Sequence, residues 1–263
     1  MTGSSEPLSA VDAARGTLDV TASLFPYPSP DLAVSPALLA MSGVARCRRL
    51  LQGMVDLHFT RPDLAGVLAR THFETWVWTM FLLLDGEEAR RRLEANDAYE
   101  VRRRAQDFIE VFGPGGSNAD SFLAAARQQL DEIHPARTQP RLSLIDAAKK
   151  VTDLLAIREE RVPDYPRRMY AIVYRAESLL SVHWGLAVAD THLKWSDSGH
   201  PIVVDRPADR GVEERRLELT ASGLLSVAGE AARQLGLDDS PVMAFGRNWF
   251  QSTDFPAQPR GGS

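Results

Sequence analysis

The chain predicts an all-α fold, a bundle of six or seven helices with one short β-hairpin or extended flap near residues 193–204. Three observations carry this. From Ser35 onward, Leu38, Leu39, Ser42, Ala45, Leu50, Met54 and Leu57 trace one face at helical spacing. The stretch from Phe73 to Leu84 is apolar nearly all round, as a helix at the centre of a bundle must be. Breaker residues then close the periodic segments, at Asp85-Gly86, Gly113-Pro-Gly-Gly and Gly236.

Taken in order, residues 1–30 are rich in Ser, Pro and Gly and end in Phe25-Pro-Tyr27-Pro-Ser-Pro30, which predicts a flexible N-terminal arm. A helical domain spans 31–238. Its first helix runs to about residue 59, and Arg61-Pro62-Asp63 starts a second, with proline in the first turn, that reaches Leu84. A third helix covers Glu87 to Phe112, with Asn96-Asp97 as a break point. Its arginine runs, Arg90–Arg92 and Arg102–Arg104, interleave with Glu87, Glu88, Glu94, Glu100 and Asp107 and predict a solvated, salt-bridged face. A fourth helix falls at about 119–133 and a fifth at about 143–157.

Asp164-Tyr-Pro166 then launches a long tyrosine-bearing helix to about His192. Leu193-Lys-Trp195 and Ile202-Val-Val204, separated by Ser-Asp-Ser-Gly199, form the expected hairpin. The last helix covers about 212–236. Residues 239–263 predict an irregular C-terminal tail whose Trp249 and Phe250 are placed to contact a partner.

Composition narrows the function. With 263 residues and 44% hydrophobic side chains, the chain can bury a substantial core. A net charge of -5, with lysine only at Lys149, Lys150 and Lys194, argues against extended duplex DNA as a partner. The single cysteine, Cys47, excludes an intrachain disulfide and a cysteine metal cluster. No basic segment followed by an apolar one opens the chain, and the longest apolar run, Trp76 to Leu84, is too short to span a bilayer. These features predict a cytoplasmic soluble protein without a membrane partner.

Two helices hold the candidate chemistry. On the second, Arg70 and Glu74 stand four residues apart within the aromatic run Phe73, Trp76, Trp78 and are expected to pair. Such a pair either fixes helix register or leaves Arg70 to hold an anion while Glu74 orients it. On the tyrosine helix, Tyr170, Tyr174, Ser178 and Ser181 share one stripe, with Glu177 and His183 beside it. Arg175 and His183 are eight residues apart, about 80° around a helix of 3.6 residues per turn, so they converge only on a ligand that bridges two turns. Histidine suits proton transfer near neutral pH and arginine suits a phosphate or carboxylate. Asp131-Glu-Ile-His134 has no second copy to complete a metal site, so neither a metal nor a cofactor is expected.

The Arg-x-x-x-Glu helix among aromatics, followed by Tyr170-x-x-x-Tyr174-Arg175 with Ser181 shortly before His183, resembles a group of uncharacterised bacterial helical proteins carrying a domain of unknown function. That group is distantly similar to the HEPN superfamily (higher-eukaryote and prokaryote nucleotide-binding domains). The resemblance covers roughly residues 40–235. It implies a helical bundle, often a homodimer, with metal-independent RNA cleavage in many members by an Arg and a His four to six residues further on. The nearest match is Arg175 and His183, with seven residues between them. Carried over, Arg175 would stabilise the developing phosphorane charge and His183 would shuttle the 2′-hydroxyl proton, with Arg70 and Glu74 holding the helices together. The function implied is a ribonuclease or toxin of phage defence or stress response. Two other readings stand beside it: a non-catalytic helical scaffold, and a pocket in which Arg70 grips the carboxylate or phosphate of a small anionic ligand.

Overall fold

Side-chain caps mark where several helices begin in the computed structural model, which describes residues 8–27, 35–58, 60–113, 141–158, 169–175, 193–197, 200–203 and 210–252, with single positions at 121, 124, 128 and 166. Ser9 accepts the Asp12 N–H at 3.1 Å and opens helix α1, Ala10–Ala22. Ser35 accepts the Leu38 N–H at 3.2 Å and, with Pro36 in the first position, opens α2, Pro36–Leu57. Helix α3, Pro62–Leu84, is followed after Asp85 by α4, Gly86–Phe112. Ser143 caps α5, Leu144–Ile157, through the Asp146 N–H. Residues Tyr170–Arg175 form a π-helix. Leu193–Trp195 (β1) and Pro201–Val203 (β2) pair antiparallel, Lys194 opposite Ile202. Helix α6, Arg210–Leu235, stops at Gly236, whose φ of 67° is the left-handed conformation that ends helices, and the Leu237 N–H closes back on the Ala232 carbonyl at 2.9 Å. Helix α7 is Ser240–Ser252.

Packing is organised around α3, which touches α2, α4, α5, α6 and the π-helix. Its Ala65, Ala69, Phe73, Trp76, Val77, Met80 and Phe81 are all buried, which accounts for how much of its surface is apolar. Small residues set the close approaches. A side chain at Gly43 of α2 would collide with Thr79 of α3, and one at Gly16 of α1 would collide with the Phe245 ring of α7. Among the described residues, no helix is long and apolar enough to cross a membrane.

Three expectations are corrected. Residues 10–22 of the presumed arm are helical: Ala13, Ala14, Thr17 and Leu18 are buried, and the Thr17 and Thr21 hydroxyls bond back to the Ala13 and Thr17 carbonyls at 2.8 and 2.7 Å. Arg48 of α2 fastens this helix, donating to Thr21 Oγ1 at 3.0 Å and to the Leu18 carbonyl at 2.9 Å. The C-terminal tail is also helical through Ser252, and Trp249 is 1% exposed, part of the core rather than a partner contact. Asn96 does not break α4. Its side-chain amide bonds both backbone groups of Leu142, at 3.0 and 3.1 Å, and so anchors the approach to α5.

The charged face of α4 is the ladder its sequence predicts, with Arg90–Glu87 at 3.1 Å, Arg91–Glu88 at 3.0 Å and Arg92–Glu88 at 2.8 Å. The helix expected over 119–133 lies mostly outside the described residues, as does the continuation of the tyrosine helix to His192.

Replacing Trp249 by Ala is expected to destabilise the fold by roughly 3–5 kcal/mol, the usual range for emptying a buried aromatic site. Urea denaturation followed by circular dichroism measures this. An unchanged midpoint would remove α7 from the core.

Candidate functional site

The site is built where α3 meets the π-helix. Residues of a π-helix bond i to i+5, so position 175 stands nearly one turn above position 170. In an α-helix the two would diverge. This geometry accounts for two contacts. Tyr170 and Tyr174 stack, ring centroids 5.1 Å apart and 16° from parallel, and Arg175 lies with its guanidinium carbon 5.8 Å from the Tyr170 ring centre. Phe73 of α3 backs the pair, 6.5 Å from Tyr170 and 6.4 Å from Tyr174.

Arg70, one turn before Phe73 on α3, completes the arrangement. Its guanidinium sits 4.6 Å from the Tyr174 ring centre, and Nη2 donates to the Tyr174 hydroxyl at 2.9 Å. Cation–π attraction of this kind strengthens as water is excluded, and Arg70 is half-buried. Its Nε is buried with no hydrogen-bond partner.

The expected Arg70–Glu74 ion pair is not formed. Glu74 is exposed and keeps its hydration, while the guanidinium turns toward the tyrosines, so the two charges leave the helix on diverging paths. Among the described residues, no carboxylate lies within ion-pair distance of Arg70 or of the exposed Arg175.

Of the residues singled out from sequence, Arg70, Tyr170, Tyr174 and Arg175 are therefore brought together. Glu74 is not. Glu177, Ser178, Ser181 and His183 lie outside the described residues, as does the Asp131–His134 motif. Among the described residues, no group of three His, Cys, Asp or Glu side chains stands close enough to hold a metal ion. Cys47 is wholly buried, which pushes its thiol pKa up and leaves it inert at neutral pH.

Sequence reasoning missed His72 as a site residue. It lies on the other side of Phe73 from Arg70 and is 3% exposed. With Ala69, Phe73, Trp76, Met169 and Val173 it lines a half-open pocket of about 10 Å3 shared with Leu219, Thr220 and Gly223 of α6, room for about one water molecule. Gly223 lets α6 pack closely there: a Cβ would stand 3.2 Å from His72 Cε1, a tight contact. Beside it, the Trp76 indole donates to Ser226 Oγ at 2.9 Å, and Ser226 donates on to the Gly223 carbonyl. Nothing in a single His between Thr and Phe signals this placement.

Desolvation lowers the His72 pKa from 6.5 to about 3, so the ring is neutral at physiological pH. The folded state resists protonation that the unfolded chain accepts, so stability is complete above pH 6.5 and falls as pH drops from 6.5 toward 3. The expected slope from this group is about 1.4 kcal/mol per pH unit. His72→Met is expected to flatten that part of a stability–pH profile measured by urea denaturation, and an unchanged slope would contradict a buried neutral ring. No family model, curated protein or solved structure matches this chain, so its site is defined by its own geometry.

Proposed function

We propose that the seam between α3 and the π-helix binds a small anionic ligand with a flat apolar body, its carboxylate or phosphate held by Arg70 and its body laid against the Tyr170–Tyr174 pair. One observation carries this reading: Arg70 keeps a half-buried positive charge with no described carboxylate to neutralise it and with a buried Nε left unbonded. A guanidinium removed from water without an anion is costly, and an incoming carboxylate or phosphate can accept from its remaining N–H groups. The tyrosine edges offer a ring an edge-to-face contact, which favours a ligand with an aromatic body.

A second reading, metal-independent RNA cleavage by Arg175 and His183, draws support from the exposure of Arg175 beside stacked aromatics, the setting in which unpaired bases and their phosphates are gripped. RNA would then be the anion.

The test is isothermal titration calorimetry of the full chain with biphenyl-4-carboxylate, and with acetate as the anion lacking a ring. The aryl acid is expected to bind and acetate to bind far more weakly. Arg70→Met, checked by circular dichroism, is expected to lose roughly ten- to a hundredfold in affinity, matching the ~1.5–3 kcal/mol of a hydrogen bond to a charged group. Undiminished binding by the folded variant, or none by the wild type, would refute the ligand reading. Cleavage of total RNA without metal, lost in His183→Ala, would favour the second.

A further inference from the structure

We infer that Arg175 is a second anion contact of the same site, and that the ligand is an elongated dianion with an acidic group at each end of a flat apolar spacer. This inference rests on the anion-binding reading of Arg70 and extends it to the class of ligand.

Arg70 lies over Tyr174 at 4.6 Å, Tyr174 stacks on Tyr170 at 5.1 Å, and Arg175 lies over Tyr170 at 5.8 Å. Two cations thus lie against one pair of stacked rings, one at each ring. The π-helix imposes this. A turn closed from i to i+5 brings Arg175 back over Tyr170, while Tyr174, one residue earlier, faces Arg70 of α3.

Ion pairs hold several arginines elsewhere in the chain. Arg90, Arg91 and Arg92 on α4 each pair with a glutamate, and Arg158 at the end of α5 reaches Glu230 of α6 at 2.7 Å. Neither Arg70 nor Arg175 has such a partner among the described residues. An anion at either guanidinium supplies a charge-assisted hydrogen-bond partner there, and only a ligand with two acidic groups gains this at both. A monoanion satisfies one end. A compact dianion places both charges on one guanidinium, whereas an extended one reaches both, its spacer running along the half-buried tyrosines.

The two arginines differ in burial, which assigns them different parts. Arg70, half-buried and bonded to Tyr174, anchors. Arg175 is exposed, so it adds affinity only for a ligand long enough to reach it and sets the preference between dianion and monoanion.

The experiment compares biphenyl-4,4′-dicarboxylate with biphenyl-4-carboxylate by calorimetry at low salt. The wild-type chain is expected to prefer the dicarboxylate by about tenfold, the scale of one additional charge-assisted hydrogen bond. Arg175→Gln is expected to bind both compounds with the wild-type affinity for the monocarboxylate, erasing the preference. Arg70→Met is expected to weaken both. A preference that survives in Arg175→Gln, or is absent in the wild type, overturns the dianion inference and leaves the Arg70 site standing. Loss of both compounds in a folded Arg175→Gln variant also overturns it, since Arg175 would then be the anchor. Failure of both compounds to bind the wild type overturns this inference together with the reading it rests on.

Discussion

A helix at the centre of a bundle has few places to send a polar side chain, and α3 is such a helix. Each of its polar residues meets that constraint differently. Thr71, Thr75 and Thr79 turn their hydroxyls back onto carbonyls one turn earlier, at 2.9, 2.9 and 2.7 Å. Trp76 finds Ser226 on α6. Glu74 points outward and stays hydrated. His72 gives up its charge. Arg70 cannot, because a guanidinium does not deprotonate in a protein, so it must be met by something that tolerates a cation. The π-helix supplies that in the face and hydroxyl of Tyr174. The geometry of the candidate site follows from the one residue on the central helix that can neither leave nor become neutral.

This makes the π-helix more than a local irregularity. An α-helix through the same residues would carry Arg175 away from Tyr170 and offset the two rings. The wider turn stacks them and places Arg175 over Tyr170, while Arg70 of α3 lies over Tyr174. Rigid neighbours hold it in place. Phe73 packs on both tyrosines and stacks on Trp76 at 5.9 Å, so the aromatic wall continues into the core formed with α6. The polar seam and the hydrophobic core are thereby one structure.

Much of the fold was legible in the sequence because periodicity and punctuation report burial directly. The run from Phe73 to Leu84 identified the central helix, and Gly236 marked the end of α6 through the backbone conformation it alone adopts easily. Composition misled at both termini. Ser, Gly and Pro near the start suggested a flexible arm, yet Ala10, Ala13 and Ala14 are small because other helices press close, and a small-residue face registers weakly as hydrophobic. Trp249 looked like an exposed anchor because the glycines and prolines around it obscured the amphipathic face of α7. At the site, the residues were legible and their partners were not. The spacing of Arg70 and Glu74 permits an ion pair, but spacing along one helix says nothing about a ring arriving a hundred residues later. A π-turn of six residues leaves no period of its own to detect.

The central claim is that Arg70 is energetically coupled to Tyr174 and not to Glu74. Two double-mutant cycles by urea denaturation test it most directly, one pairing Arg70→Met with Tyr174→Leu and the other pairing Arg70→Met with Glu74→Gln. The first is expected to give a coupling of about 1–2 kcal/mol, from one hydrogen bond and one partly desolvated cation–π contact. The second is expected to give close to zero. A coupling to Glu74 as large as that to Tyr174 would contradict the account, for it would mean that Arg70 is neutralised within its own helix and has no need of an anion.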